Sequence, residues 1–255
     1  LLAEQGQLER ARAALEKALR CLPEHLEARE CLADVQTRQE APLQAMSTYT
    51  DLIEFYLREG DGQGVVRNAS KVLEVQPEHL PSLLALAKGY GMLGQEQEQL
   101  QTQSKLVDIY VKGQSFTRAT EICEQILTRN EDYIPALEQL VAICESTKRP
   151  TQSAQYLWKL SQVHARVGRR EAEQATLLEL LVKEPLHPAA NYRLIELLMQ
   201  WGTPAALAQG VNHMLDRFEL HHQEREAILI LKDLCQTSTP KAEIFAGLAR
   251  LYGRL

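Results

Sequence analysis

Met46–Pro77 reads MSTYTDLIEFYLREGDGQGVVRNASKVLEVQP. In its first half Tyr49, Leu52, Ile53 and Tyr56 fall at i, i+3, i+4 and i+7, one apolar face of an α-helix. Gly60 to Gly64 then offer the positive-φ conformations that let a chain reverse. Val65, Val66, Ala69, Val72 and Leu73 resume helical spacing, and Pro77 ends it, because proline has no N–H and its ring clashes with the preceding turn. Neither helix can bury its stripe alone, so the hairpin needs copies beside it.

The remainder of the chain supplies candidates for those copies. Its apolar fraction, 45% of 255 residues, is that of a folded protein. Glycine and proline fall mostly between apolar stripes, and no alternating Val/Ile/Thr-rich run marks a strand. No apolar stretch approaches the roughly 20 residues of a membrane span, and no leader is visible, so a cytoplasmic location is expected. The five cysteines (Cys21, Cys31, Cys123, Cys144 and Cys235) are scattered without a C-x-x-C pair and read as small buried hydrophobes in a reducing compartment. A net charge of −6 argues against a nucleic-acid partner, whose phosphates demand basic surface.

Leu1–Gln5 reads as the tail of a helix, with Gly6 as a turn and Ala11, Leu15, Ala18, Leu19 and Pro23 as the next stripe and its stop. Counted from Gly6, these positions coincide with Val65, Ala69, Val72, Leu73 and Pro77 counted from Gly60. Both stretches resemble the tetratricopeptide repeat (TPR). That family places large, long and aromatic residues and a turn glycine on a first helix, then small packing residues and a terminal proline on a second. Tyr49, Leu52, Ile53, Tyr56, Gly60, Ala69 and Pro77 match that pattern. Val65 stands where the family has alanine, so a wider approach of the two helices is expected there.

Leu83, Leu86, Ala87, Tyr90 and Gly94 repeat the first-helix pattern. Gln95–Lys112 departs from it, with Gln99 and Gln103 in place of apolar residues; its Gln/Glu-rich start reads as a solvated face, and Gly113 as the turn. Further helices are expected over 115–128, 134–146, 150–167, 170–183, 188–201, 205–220, 227–234 and 242–255, with Lys148 replacing a turn glycine. The tyrosines Tyr49, Tyr56, Tyr90, Tyr110 and Tyr252 read as core. The resemblance implies an all-α, right-handed superhelical solenoid of antiparallel helix pairs, about 13–14 helices. Residues 1–255 read as one array with an incomplete repeat at each end, part of a longer one.

A second period overlies the first. Pro-Glu-His-Leu occurs at 23–26 and at 77–80, and the same step reaches the Asn130–Asp132 turn, then Pro185, then Pro240. Such a step spans three helices. In a two-layer stack it carries equivalent helices into opposite layers, so either the chain is built of three-helix blocks or some junctions depart from two-layer stacking. A three-helix, armadillo-like arrangement is the alternative to the TPR-like one.

No catalytic constellation stands out. Gly60–Gly64 lacks the Gly-Lys-Ser/Thr ending and the preceding strand of a phosphate loop. His213, His221 and His222 have no carboxylate or cysteine at i, i+4 to complete a metal site. No Gly-x-Ser-x-Gly elbow occurs, and acidic pairs such as Glu171/Glu173 are common on helical surfaces. No enzyme activity, cofactor or metal is expected.

One charge feature stands out. Lys148, Arg149, Lys159, Arg166, Arg169 and Arg170 lie in a window without Asp or Glu, which leaves −12 on the rest of the chain. Lys159 and Arg166, seven apart, share a helix face, and Arg169 and Arg170 cap the same end. Trp158 lies beside this face and suits an interface anchor; Trp201 is a second candidate. The expected partner-binding residues are Trp158, Lys159, Arg166, Arg169 and Arg170, and the expected partner is a protein or peptide of acidic character. The resemblance implies a scaffold that holds a partner in the solenoid groove. The alternative is the regulatory or substrate-recruiting arm of an enzyme whose catalytic domain lies elsewhere.

Overall fold

In a computed structural model every residue is described except 1, 24, 40, 238, 240, 254 and 255; of 2–5 and 237 only the backbone is described. The described residues form fourteen α-helices and no strand: α1 (Leu2–Cys21), α2 (Leu26–Arg38), α3 (Pro42–Glu59), α4 (Gly62–Val75), α5 (Leu80–Met92), α6 (Glu96–Lys112), α7 (Phe116–Arg129), α8 (Ile134–Ser146), α9 (Pro150–Val167), α10 (Arg170–Lys183), α11 (Pro188–Trp201), α12 (Pro204–Leu220), α13 (Glu224–Thr237) and α14 (Ala242–Tyr252). The fold is an all-α helical repeat. No helix among the described residues is long and apolar enough to cross a membrane. The expected turn at Pro240 and the end of the last helix at Leu255 lie outside the described residues.

The three-helix period holds to the residue. Helices begin at Leu26, Leu80, Ile134, Pro188 and Ala242, at Pro42, Glu96, Pro150 and Pro204, and at Gly62, Phe116, Arg170 and Glu224, each series in steps of 54. Backbone geometry keeps the same step. Left-handed residues occur at Gly60, Gln114, Gly168 and His222, and again at Gly94 and Lys148. Gln114, Lys148 and His222 hold this conformation without glycine because the register demands a reversal there, at a cost of about 1 kcal/mol each. The turn expected at Gly113 therefore falls one residue later.

The chain divides into two compact units, 1–122 and 123–255. In the first, α3 touches α2, α4 and also α5, the i, i+2 contact that two-layer stacking requires. Tyr49, Leu52, Ile53 and Tyr56 are buried there with Val65, Ala69 and Val72 of α4. Each large side chain removed from water contributes about 2 kcal/mol. The space for Val65 is found on the α5 side: a Cβ on Gly89 would stand 3.0 Å from Val65 Cγ1. Polar groups join the same three helices. Glu30 of α2 accepts from Tyr56 Oη (2.8 Å), Arg67 (2.5 Å) and Asn68 (3.3 Å). Burial pushes the Glu30 carboxyl up, but these hydrogen bonds outweigh it and hold it below its usual range.

In the second unit the core runs from Leu157 through Leu177, Leu194 and Phe218 to Leu231 and Leu251. There α11 touches α12 and α13, and α12 also touches α14.

Several sequence expectations are corrected. Gly6 does not turn the chain; α1 runs through it, although the equivalent Gly60 caps α3. Only Gly60 of its cluster reverses the backbone, because Gly62 and Gly64 already belong to α4. A Cβ on Gly64 would lie 2.4 Å from the Tyr56 ring. At the start of α6, Gln95, Glu96, Gln97 and Glu98 are solvated as expected, but Gln99 and Gln103 are buried; the Gln99 amide fills the space that a side chain at Gly91 would occupy. Cys21 and Cys31 are exposed, while Cys123 and Cys144 are buried. Tyr90 is only half-buried, and Tyr252 is exposed: α14 turns Ile244, Gly247 and Leu251 inward, so Phe245 and Tyr252 lie on its other side.

Candidate functional site

The basic window spans the α8–α9 turn, all of α9 and the first residue of α10, within the second unit. Proline at the first position starts α9, and Leu157, Leu160 and Val163 bury one face. Gly168, at φ 74, ends it, and Arg169 N–H donates to His164 O at 2.9 Å, closing the turn. That leaves Arg169 as the N-cap of α10, with no side-chain hydrogen bond to the free N–H groups of the first turn.

These basic residues differ in their partners. Arg166 reaches back to the α7–α8 turn, 2.5 Å from Asp132 and 3.5 Å from Glu131, so its charge is offset locally. Lys159 lies 5.9 Å from the centre of the Tyr156 ring. Trp158 is half-buried, packed on the core and 5.2 Å from the His187 ring; Lys159, Trp158, Glu184 and His187 line one shallow hollow. His187 is itself fixed, because its Nδ1 accepts from Ala190 N–H at 3.1 Å.

Arg169 and Arg170 behave differently. Among the described residues neither has a carboxylate partner. The Arg170 guanidinium stacks 3.5 Å above the Trp201 ring, and Trp201 is 61% exposed. Val167 is exposed beside them. Two arginines, an open aromatic face and the positive end of the α10 dipole therefore meet at one corner, a combination that attracts a carboxylate carried next to an apolar group. Glu171 is the exposed acid of this turn; Glu173 points inward. Trp201 comes from the far end of α11, so sequence spacing gave no sign that it meets Arg170.

Behind this corner lies a polar core. His164 is 4% exposed and its Nδ1 has no hydrogen-bond partner among the described residues. Burial, with help from Arg169, pushes the imidazole below its usual pKa, while Glu138 and Glu173 pull the other way. Glu173, 2% exposed, is held at 2.5 Å by Arg193 of α11, which also takes Glu196 at 2.8 Å. His213, His221 and His222 are exposed. Among the described residues no three His, Cys, Asp or Glu side chains group closely enough to hold a metal ion.

No protein-family model matches the chain, and no curated protein is significantly similar to it. Solved structures similar to it include tetratricopeptide-repeat proteins. One, from a functional characterization of Pseudomonas aeruginosa PilF, is 15% identical over 82% of this chain and 99% of its own, with a TM-score of 0.32. A tetratricopeptide repeat protein from Parabacteroides merdae is 16% identical over 98% of this chain and 94% of its own, at a TM-score of 0.26. The TPR domain of P58(IPK) is 11% identical over 98% and 94%, at 0.25.

Proposed function

We propose that this chain is a non-enzymatic protein–protein interaction scaffold, acting in the cytoplasm, and that its second unit holds an acidic segment of a protein or peptide partner. The observation that carries this reading is the corner of Arg169, Arg170 and Trp201: two arginines without carboxylate partners among the described residues, beside an exposed aromatic ring. Trp158 and Lys159 extend the surface along α9. Arg166 contributes by fixing the α7–α8 turn, since Glu131 and Asp132 already occupy it. Residues 1–255 act as one repeat array in this reading.

The test is a calorimetric titration with a synthetic peptide of alternating Glu and Leu, against a Lys/Leu peptide of equal length. The acidic peptide binds, and added salt weakens it. R169E/R170E lowers its affinity at least about tenfold, roughly 1.4 kcal/mol. Equal binding of both peptides, or unchanged affinity in R169E/R170E, would overturn the assignment.

A further inference from the structure

The 54-residue step allows the same position to be compared in four hairpins. His164 occupies the place of Tyr56, Tyr110 and Phe218, all buried aromatics. Glu173 occupies the place of Val65, Ala119 and Ala227, all fully buried and small or aliphatic. Ser161 stands where the others have Ile53, Val107 and Leu215. At these positions the α9–α10 hairpin thus buries an imidazole and a carboxylate where the other three bury aromatic and small aliphatic residues. A buried imidazole at an aromatic position gives up packing area and adds a group that can take a proton.

We infer that the α9–α10 hairpin is an acid-sensitive joint: protonation of buried His164 loosens its packing against α8 and α10 and thereby unseats the Arg169–Arg170 corner. The second clause rests on the partner-binding reading above; the first does not. Charged groups face His164 from each side. Glu138 comes from α8, and Arg169 and Glu173 from α10. Glu173 is committed to Arg193 of α11. An imidazolium here meets Arg169 as a like charge, while Glu138 acts in the opposite sense.

The sign follows from which state takes the proton first. An opened hairpin exposes His164 to water, where it titrates near about 6.5. The closed hairpin holds it neutral to lower pH, as its burial dictates. Closure is therefore fully favoured above about pH 6.5 and is lost as pH falls through the closed-state value. Opening rises by at most about tenfold per pH unit for one such group.

Hydrogen exchange on the full chain from about pH 7.5 down to about pH 5, corrected for the intrinsic rate, reads this directly. Amides of α9 and α10 lose protection toward the acid end, and those of the equivalent α3 and α4 do not. His164→Tyr, which restores the residue found at positions 56 and 110, removes the difference. Parallel behaviour of the two hairpins, or an undiminished acid response in H164Y, would overturn the inference. Should H164Y fail to fold, proton NMR titration of the wild-type imidazoles decides: His164 has a midpoint below about 6.5, and a midpoint at or above it sinks the joint. The Glu/Leu peptide supplies the last arm. It loses more affinity on acidification with wild type than with H164Y; an equal loss in both would overturn the coupling to the corner while the exchange result stands separately.

Discussion

Two hairpins in identical register, α3–α4 and α9–α10, solve the same packing problem with opposite chemistry. In α3–α4 the aromatic Tyr56 lies against Gly64, and Val65 fills the gap left by Gly89. Its polar contacts are neutral or shared: Glu30 accepts from Tyr56, Arg67 and the buried Asn68 amide, which also donates to Gly64 O. In α9–α10 the polar groups are inside, His164 and Glu173 replacing the aromatic and the valine. Apolar contact tolerates any pH and is stabilising without a partner. A buried charge is stable only while its counter-ion stays in place. The first hairpin is therefore a structural joint and the second a conditional one.

Breaking the buried pair gives the largest expected effect. Arg193→Ala strands Glu173 and costs about 3–5 kcal/mol in urea unfolding. The double change E173A/R193A, which copies Ala119 and Ala227 at the Glu173 position, recovers most of that loss. If R193A alone is nearly neutral, the contrast between the hairpins is wrong.

Next comes Gly64→Ala, whose new methyl group meets the Tyr56 ring. The expected loss is about 2 kcal/mol, the net of overpacking against better helix propensity. Faster exchange confined to α3 and α4 checks it. Glu30→Ala removes the acceptor that Tyr56, Arg67 and Asn68 share, at about 1–2 kcal/mol. Because the Glu30 carboxyl is held below its usual range, its contribution is full above about pH 4.5 and disappears only as pH falls through the folded-state value. Acid thus loosens α3–α4 at a lower pH than α9–α10, and a shared midpoint in exchange would erase the distinction.

The smallest effects test the register itself. Lys148→Gly and Gln114→Gly relieve left-handed strain and stabilise by about 0.5–1 kcal/mol, whereas Gly168→Ala destabilises by a similar amount. Thermal midpoints that move the other way would contradict the shared turn geometry.

Much of the fold was legible in the residues. The apolar stripes located α8, α9, α10 and α11 to the residue, because a one-sided helix must bury that side. The repeated Pro-Glu-His-Leu marked the three-helix step, since turn chemistry is local. Gly6 and Tyr252 were misread for one reason: each matches a motif position, but the neighbour that gives the position its meaning is set by packing. The candidate site was less legible. Counting charges found Arg169 and Arg170, yet no count shows that Arg166 is offset by Glu131 and Asp132 or that Trp201 faces Arg170.

By itself the sequence determined the helices, their turns and their 54-residue step, because helical periodicity, proline and left-handed turns act over a few neighbouring residues. Tertiary structure alone decided which charges are already paired, which aromatic rings stay open, and that His164 and Glu173 lie inside. Those outcomes depend on side chains meeting across helices some twenty to forty residues apart in sequence, where no local rule reaches.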